Sequence, residues 1–198
     1  MTIAGNSVAS TRDRIVVAAY GLITRRGVRG LSLGDIATAA GTTESELRQH
    51  FPTIDPLVLA VLERRERVWT FGLIEEQSRC RGTTPEEQLL AIFDVFEEWF
   101  TAPDFDACTF INVLLEMGAE HPLGRAGIEH LQRIRNIVRV RAERAGLSDA
   151  EDFARSLHIL MKGSVIAAAE GDSNAARRAK RMAEALIEAH RERPDDNR

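Results

Sequence analysis

The chain has 198 residues, of which 44% are hydrophobic and 28% are charged, and it carries a formal net charge of −4. A chain of this kind buries a substantial core, either as one large domain or as a small domain joined to a larger one. The composition excludes an intrinsically disordered chain, and the net charge excludes a strong overall attraction for nucleic acid. Cys80 and Cys108 are too few and too widely spaced for a disulfide framework or a zinc site, which is typical of a reducing cytoplasm.

The N-terminal residues MTIAGNSVAS lack the basic start and the long apolar run of a signal peptide. No apolar stretch approaches the length of a membrane span, so we expect a cytoplasmic protein with no membrane partner. The charge is uneven along the chain, because the first 30 residues hold five arginines and a single acid, Asp13. This gives the start of the chain a modest basic footprint.

We expect residues 1–9 to form a flexible tail, followed by a first helix. Ser10 with Asp13 three residues later makes a capping box, and apolar residues then recur at helical spacing to about Arg26. Gly27 permits the turn that follows.

The stretch from Ser32 to Phe51 packs two short helices and a tight turn into a small space. Ser32 is placed to cap the first helix, Gly41 breaks it, and Thr43 is placed to cap the second. In the second helix only Leu47 and Phe51 share an inward face, so the other side chains point outward. Two short helices joined in this way form a helix-turn-helix unit, whose second helix can lie in a DNA major groove; an ordinary helical corner is the alternative.

Six more helices are expected after Pro52, so the chain is predicted to be all-α with about nine helices. Their approximate expected positions are 55–79, 85–100, 105–119, 128–146, 153–164 and 175–186, with a break at 121–124. No stretch of useful length alternates apolar and polar residues as a half-buried strand does.

The last two helices carry unusually small inward residues, which let helix axes approach closely. A hairpin within one chain would also use such residues. Two terminal helices that are apolar on more than one face, however, more often need a second subunit, so we predict a homodimer. The expected interface residues are Leu157, Leu160, Ser164, Ala168, Ala179, Met182, Ala183 and Leu186.

Specific motifs add to this pattern. A first helix ending in RGVRGLSL is followed by DIAxxAG, by LxxHFP and by a long helix. This order and spacing, from Arg12 to Leu62, closely resembles the DNA-binding domain of the TetR/AcrR family of transcriptional regulators. The resemblance implies an N-terminal three-helix DNA-binding domain with a helix-turn-helix, residues 1–54, and a larger C-terminal helical domain for ligand binding and dimerisation, residues 55–198.

The resemblance also implies that the helix after Thr43 reads bases in a double-stranded DNA operator. Arg48 suits guanine and Gln49 suits adenine, each pair being worth about 1–3 kcal/mol of discrimination, and a solvated helix face is the alternative. The expected DNA contacts are Arg29, Ser32, Leu33, Thr43, Glu44, Ser45, Arg48, Gln49 and His50. The chain departs from the family pattern at Glu46, at Arg48 in place of tyrosine, and at Ile54 in place of lysine. These departures predict a low and salt-dependent non-specific affinity.

Aromatic and polar side chains of the larger domain could together enclose an apolar pocket, although core packing is the alternative for each one alone. The expected pocket residues are Trp69, Phe93, Phe96, Trp99, Phe100, Phe110, Asn112, Glu116, Met117, His158 and Met161. The resemblance implies that a small-molecule effector bound there lowers DNA affinity. We therefore predict a repressor that a small apolar effector releases from its operator.

The alternative function is a dimeric small-molecule-binding or thiol-sensing protein with weak or vestigial DNA binding, in which Cys108 would be the sensing thiol. No enzyme activity and no cofactor are predicted, because the chain lacks the HExxH, CxxC, GxGxxG and GxxxxGK motifs. Glu116, Glu120 and His121 are the nearest approach to a metal site. A solvated helix end is the preferred interpretation, since further ligands are unspecified, and no metal is predicted.

Overall fold

The structure, a computed structural model, describes residues 10–103, 105 and 108–191. The tail expected at 1–9 therefore lies outside the described residues. The all-α prediction is confirmed, because helices account for most of the described residues and no strand lies among them. An isolated bridge between Leu147 and Arg191 is the β-type pairing found in that part of the chain.

The chain divides into two compact units. The first comprises Met1–Arg64 and Thr109–Ile128, and the second comprises Arg65–Cys108 and Glu129–Arg198. The predicted domains, 1–54 and 55–198, stay a prediction, since this division does not test which segments fold by themselves.

Nine helices run through the described residues, which is the number predicted. The first three, α1 to α3, are Thr11–Arg26, Leu33–Ala40 and Glu44–His50. Helix α4 is continuous over 54–81, with an α-helical part at Ile54–Arg65, a π-helical part at Glu66–Gln77 and a last α-helical turn at Ser78–Arg81. The remaining five, α5 to α9, are Pro85–Phe100, Thr109–Met117, Pro122–Arg144, Ala150–Ala169 and Ala175–His190.

In the first unit, α1, α2 and α3 pack on one another around a small apolar core. A helix of two turns is marginal in water by itself, so α2 and α3 depend on the side chains that they bury. The fully buried side chains of this unit include Ile15, Ala19, Ile36, Leu47, Leu57, Leu62, Val113 and Leu123. Burial of each large member contributes about 1.5–3 kcal/mol relative to exposure.

Hydroxyl side chains begin these three helices. Ser10, Ser32 and Thr43 each accept a hydrogen bond from the backbone N–H three residues later, at 3.1, 3.0 and 3.1 Å. The three predicted caps are therefore confirmed. Each satisfies a backbone donor that the helix itself cannot satisfy, which is typically worth about 1 kcal/mol.

In the second unit, α9 packs against α8 and α5. Helix α5 begins with a complete capping box, in which Thr84 and Glu87 each accept the other's backbone N–H through the side chain. Pro85 takes the first helical position, where a missing N–H leaves no hydrogen bond unmade. The largest fully buried side chains of this unit include Phe93, Phe96, Phe153, Ile74, Leu89 and Ile92.

Two predicted helix boundaries were wrong. A helix was expected over 105–119, but α6 begins at Thr109 and ends before Gly118, whose φ of 82° cannot continue a helix. The expected break after α6 was also misplaced, because Pro122 opens α7 directly. Gly124 lies inside α7, at a point where the backbone of Gly118 approaches too closely for a side chain.

The π-helical part of α4, Glu66–Gln77, was not predicted either, since 55–79 was expected to form one α-helix. A π-helix bonds each N–H to the carbonyl five residues back and is rare in stretches longer than one turn. Apolar periodicity does not detect this change, because residues four apart share a face in both kinds of helix.

Arg141 is a buried charged side chain of the second unit, 5% exposed. Its guanidinium donates to the carbonyl oxygens of Glu75 at 2.7 Å and Gln88 at 3.2 Å, and to the hydroxyl of Ser78 at 2.6 Å. Burial lowers the pKa of the Arg141 guanidinium from its ordinary value. Arg141 therefore ties α7 to the end of α4 and to α5.

Replacing Arg141 by methionine keeps much of the side-chain volume and removes its donors. We expect Arg141→Met to lower the free energy of unfolding by about 1–3 kcal/mol, because buried acceptors lose their partner. Denaturant unfolding followed by circular dichroism measures the change. Arg144→Met is the matched control, since Arg144 is exposed on the same helix; its effect should stay within about 0.5 kcal/mol. Equal stability of the two variants would show that the Arg141 bonds make no net contribution.

Candidate nucleic-acid interface

The turn between α2 and α3 sets the angle at which the two helices meet. Gly41 takes the left-handed conformation, with φ 63° and ψ 42°, and its N–H bonds the carbonyl of Thr38 at 3.2 Å. The N–H of Thr42 bonds the carbonyl of Ala37 at 3.0 Å. A side chain at position 41 would be strained in this conformation. Thr43 then caps α3, so the predicted helix-turn-helix is confirmed.

Helix α3 is anchored through one face. Leu47 is fully buried and Phe51 is 3% exposed, at the predicted spacing of four residues. The guanidinium of Arg12, at the start of α1, lies 5.0 Å from the centroid of the Phe51 ring. This cation–π contact covers the apolar end of α3 from the side of α1.

The predicted DNA contacts lie away from that anchored face. The polar members of the set are all exposed, namely Arg29, Ser32, Thr43, Glu44, Ser45, Arg48, Gln49 and His50. Leu33, the one apolar member, is half-buried at the start of α2. Exposure is a necessary condition for contact with DNA, and the contacts themselves stay a prediction.

Arg48 is held by its neighbours on α3. Its Nε and one terminal nitrogen donate to Oε1 of Glu44 at 3.0 and 2.6 Å, and its other terminal nitrogen donates to the carbonyl of Pro52 at 3.3 Å. The ion pair is half exposed, so it contributes only a few tenths of a kcal/mol to stability, on the order found for i, i+4 pairs. The pair instead fixes the orientation of the Arg48 guanidinium. Its Nε side is occupied by Glu44, while each terminal nitrogen keeps a second N–H that can donate to another group. This pair was not predicted, although opposite charges at i, i+4 are a visible signal.

Glu46, one of the departures from the family pattern, takes part in contacts within the motif. The carboxylate of Glu46 accepts a hydrogen bond from the hydroxyl of Thr42, and its backbone N–H donates to Thr43. One of the two acidic side chains of α3 is therefore turned to the turn between the helices.

Part of the basic footprint at the start of the chain is also used within the unit. Arg14 donates to the last carbonyl of α2 at 3.4 Å, and Arg26 pairs with Asp35 at 3.4 Å on the surface. The side chains of Arg25 and Arg29 are exposed. An exposed pair such as Arg26–Asp35 contributes little to stability.

Comparison with known proteins shows what the chain is similar to. Residues 15–61, which cover most of α1, all of α2 and α3 and the start of α4, match the model of bacterial regulatory proteins of the tetR family. The HTH-type transcriptional regulator CymR of Pseudomonas putida is 31% identical over 133 residues, which are 65% of this chain and 61% of CymR. A TetR-family transcriptional regulator from Streptomyces coelicolor has the same fold, with a TM-score of 0.84 and 23% identity over 92% of this chain and 96% of that one. A TetR transcriptional regulator from Legionella pneumophila gives a TM-score of 0.78 and 19% identity, over 91% and 99% of the two chains.

Through this segment the chain is similar to the TetR family. The resemblance seen in its sequence motifs is thereby confirmed. The relatives that match are named as transcriptional regulators. The segment matched by CymR spans less than two-thirds of that relative, 61% of its length.

Several aromatic residues of the second unit form a cluster. Ring centroids are 5.2 Å apart for Trp69 and Trp99, 5.7 Å for Phe96 and Trp99, and 5.4 Å for Phe96 and Phe100. The guanidinium of Arg65 lies 5.6 Å from the Trp69 ring and 5.5 Å from the Trp99 ring. At these distances the rings pack against one another, with a half-buried cation on two indoles.

The other predicted pocket residues are divided between the two units. Phe93, His158 and Met161 belong to the second unit, whereas Phe110, Asn112, Glu116 and Met117 belong to the first. Asn112 is exposed, and the Glu116 carboxylate accepts two backbone N–H groups of the α1–α2 turn. Cys108, the candidate sensing thiol, is buried, and Cys80 is the exposed cysteine.

His158 is 3% exposed on α8. Its burial, together with the positive charges of Lys162 and Arg135, lowers the pKa of the imidazole to about 3. The ring is therefore neutral at neutral pH and acts as an uncharged polar group among apolar neighbours.

The predicted dimer residues differ in their exposure. Leu157, Ser164, Ala179 and Ala183 are buried within the chain, whereas Leu160, Ala168 and Leu186 are half-buried and Met182 is exposed. Two further exposed residues of α8, Ile159 and Ile166, were not predicted from the sequence. Gly163 lies between them, and nothing stands within 4 Å of the place a Cβ would take. Since buried side chains offer no area to a partner, a dimer here would use the exposed members.

Within the part of the chain that the structure describes, no three His, Cys, Asp or Glu side chains are grouped so as to hold a metal ion. Glu116, Glu120 and His121 accordingly do not form such a group. None of the helices described is both long and apolar enough to cross a membrane.

His158 makes a testable contribution to the pH dependence of stability. Its folded pKa of about 3 lies below the ordinary value of 6.5, so the unfolded chain binds a proton that the folded chain excludes. This stability is present above pH 6.5 and is lost as the pH falls toward 3, by up to about 1.4 kcal/mol per pH unit. We expect His158→Gln to flatten the fall in unfolding free energy between neutral pH and about pH 5, measured by denaturant titration.

His50→Gln is the control for this measurement, because His50 is exposed. It should leave the pH slope unchanged. Parallel slopes for the wild type and His158→Gln would contradict a buried neutral imidazole.

Proposed function

We propose that the chain is a DNA-binding transcriptional regulator that reads the major groove with α3. The observation that carries the proposal is α3 itself, a capped helix anchored by buried Leu47 with Ser45, Arg48 and Gln49 exposed. A major groove admits an α-helix, and arginine and glutamine distinguish guanine and adenine there. Similarity to the TetR family supports the same function.

The contact between Glu44 and Arg48 favours one mode of base reading. Glu44 occupies the Nε side of the guanidinium, so the two terminal nitrogens are left as a pair of parallel donors. A bidentate contact with O6 and N7 of guanine requires two such donors. We therefore propose that Arg48 reads one guanine end-on while Gln49 contacts a neighbouring base.

The phosphate contacts are proposed to come from Arg29, Ser32, Thr43 and His50. Leu33 is proposed to lie against the DNA backbone, and Glu44 stays bound to Arg48. Each neutralised phosphate releases counterions. The logarithm of the binding constant therefore falls with the logarithm of the salt concentration, with a slope of about −0.9 per phosphate contact. The chain has a net charge of −4, and α3 carries one arginine, Arg48, beside two glutamates. Non-specific binding is therefore proposed to be weak, and most of the affinity to depend on sequence.

We propose a homodimer formed through the exposed faces of α8 and α9. Ile159, Ile166 and Met182 are 64%, 52% and 54% exposed, and apolar surface of this kind marks interaction sites. Gly163 lets a second backbone approach α8. A two-fold interface would present two copies of α3 to a roughly palindromic operator, with half-sites about 34–36 Å apart or slightly more.

The second unit is proposed to take a small apolar effector whose binding lowers the affinity for DNA, so that the protein acts as a repressor. The aromatic cluster around Trp69 and Trp99 and the neutral His158 support an apolar ligand with one polar group. Such a ligand acts only through its different affinities for the DNA-binding state and the released state.

Titration against genomic DNA fragments at two salt concentrations tests the DNA-binding proposal. The wild type should retain a specific fragment, and Arg48→Ala should weaken that binding by about 1–3 kcal/mol, which is roughly five- to 150-fold. Glu44→Gln should reduce discrimination at the guanine that Arg48 reads while changing the overall affinity less.

Arg67→Ala is the matched control, because it removes the same charge from an exposed position outside the helix-turn-helix. It should leave specific retention intact. A wild type that retains no fragment at low salt would instead favour the alternative, a ligand-binding protein with a vestigial DNA-binding motif.

The dimer is tested by placing a charge on its proposed face. We expect Ile159→Glu to give a monomer in sedimentation velocity, because a carboxylate would be buried without a partner. Its DNA footprint should cover one half-site where the wild type covers two. Val68→Glu changes another exposed apolar residue outside this face, 52% exposed against 64% for Ile159, and should leave the dimer intact. A dimeric Ile159→Glu would place the interface elsewhere.

A further inference from the structure

Glu116 makes an unusual contact within the first unit. Its Oε2 accepts the backbone N–H of Val28 at 2.7 Å, and its Oε1 accepts the backbone N–H of Arg29 at 2.6 Å. Both oxygens of one carboxylate on α6 are thus bonded to two successive N–H groups in the α1–α2 turn. Hydrogen bonds to a charged acceptor are roughly twice as strong as those between neutral groups.

Gly27 makes this approach possible. It has a φ of 72°, which L side chains rarely adopt, and it directly precedes the two bonded N–H groups. A Cβ at this position would lie 2.7 Å from Oε2 and 2.9 Å from Oε1 of Glu116. The glycine therefore serves both the backbone conformation and the space that the carboxylate occupies.

The turn held in this way leads directly to groups proposed to bind DNA. Arg29 belongs to that set, and its own N–H is one of the two bonded to Glu116. Three residues later Ser32, another member, caps α2. The Val28 side chain is buried, whereas the Arg29 side chain is exposed. Glu116 therefore holds the turn through its backbone, and the Arg29 side chain remains available to contact DNA.

We infer that Glu116 is a positioning residue for DNA binding: it fixes the α1–α2 turn and thereby Arg29 and Ser32, without touching DNA. The inference rests on the proposed function. A turn that is already ordered loses less conformational entropy when it binds, so the contact raises DNA affinity. Glu116 was expected to line the ligand pocket, yet both of its oxygens are engaged by the turn.

Glu116→Gln tests the inference in the full-length protein. The amide oxygen of glutamine can accept one N–H, but its NH₂ group faces the other, so the turn should loosen. Hydrogen exchange at Val28 and Arg29 should accelerate by about tenfold or more, and binding to the specific DNA fragment should weaken by about three- to tenfold. The salt dependence of binding should stay unchanged, because no phosphate contact is lost.

Glu120→Gln is the matched control, since it removes the same charge from an exposed position close to α6. It should match the wild type in exchange and in DNA affinity. A purely structural role for Glu116 would instead speed exchange throughout α1, α2 and α3, including the core amide of Leu47, and that outcome would overturn the inference.

Gly27→Ala approaches the same contact from the other side, because its methyl group would displace the carboxylate. Its effect on DNA affinity should be less than additive with that of Glu116→Gln, since both remove one interaction. Equal DNA affinity of Glu116→Gln and Glu120→Gln would overturn the inference while leaving the proposed function intact. A wild type without specific DNA binding would overturn the proposed function and the inference with it.

Discussion

Burial of Leu47 beneath α3 is the constraint on which the candidate DNA-reading surface depends. A helix of seven residues has too few internal hydrogen bonds to persist in water, so α3 exists because it packs. Leu47 and Phe51 supply that packing, at about 1.5–3 kcal/mol each, and the left-handed Gly41 sets the angle from which α3 approaches α2. The same burial assigns the remaining side chains of α3 to the outer face. Stability of the short helix and presentation of its polar residues therefore have a single physical origin.

The electrostatics of this surface are local. The whole chain is negative, yet charges separated by more than about 8–10 Å are largely screened in physiological salt. What DNA would meet is the immediate surface of α3, where Glu44 is paired with Arg48 and Glu46 is bonded to Thr42. Both acidic groups are occupied within the motif. Glu44 affects the direction of the Arg48 donors more than the strength of attraction, as the proposed base reading requires.

Much of the fold could be predicted from the sequence, because its signals are local. Ser32, Gly41 and Thr43 mark helix ends by their own chemistry. The contact of Glu116 with the α1–α2 turn could not be predicted from the sequence. It joins Glu116 to Val28 and Arg29, which lie 88 and 87 residues earlier in the chain, through backbone N–H groups that leave no signal in the side-chain pattern. The exposure of individual side chains on α8 and α9 could not be predicted either. Which residues face inward depends on how each helix is rotated about its axis. Ile159 is exposed for that reason, while neighbouring apolar residues are buried.

The aromatic cluster has a consequence for how the protein can be observed. The sequence contains two tryptophans, Trp69 and Trp99, and their rings are 5.2 Å apart with the Arg65 guanidinium beside both. Tryptophan fluorescence therefore arises from this one cluster in the second unit. Helix α3 contains no indole and contributes nothing to that emission. The molecule thus carries a built-in optical probe that reports on a single neighbourhood and is silent about the helix that would meet DNA.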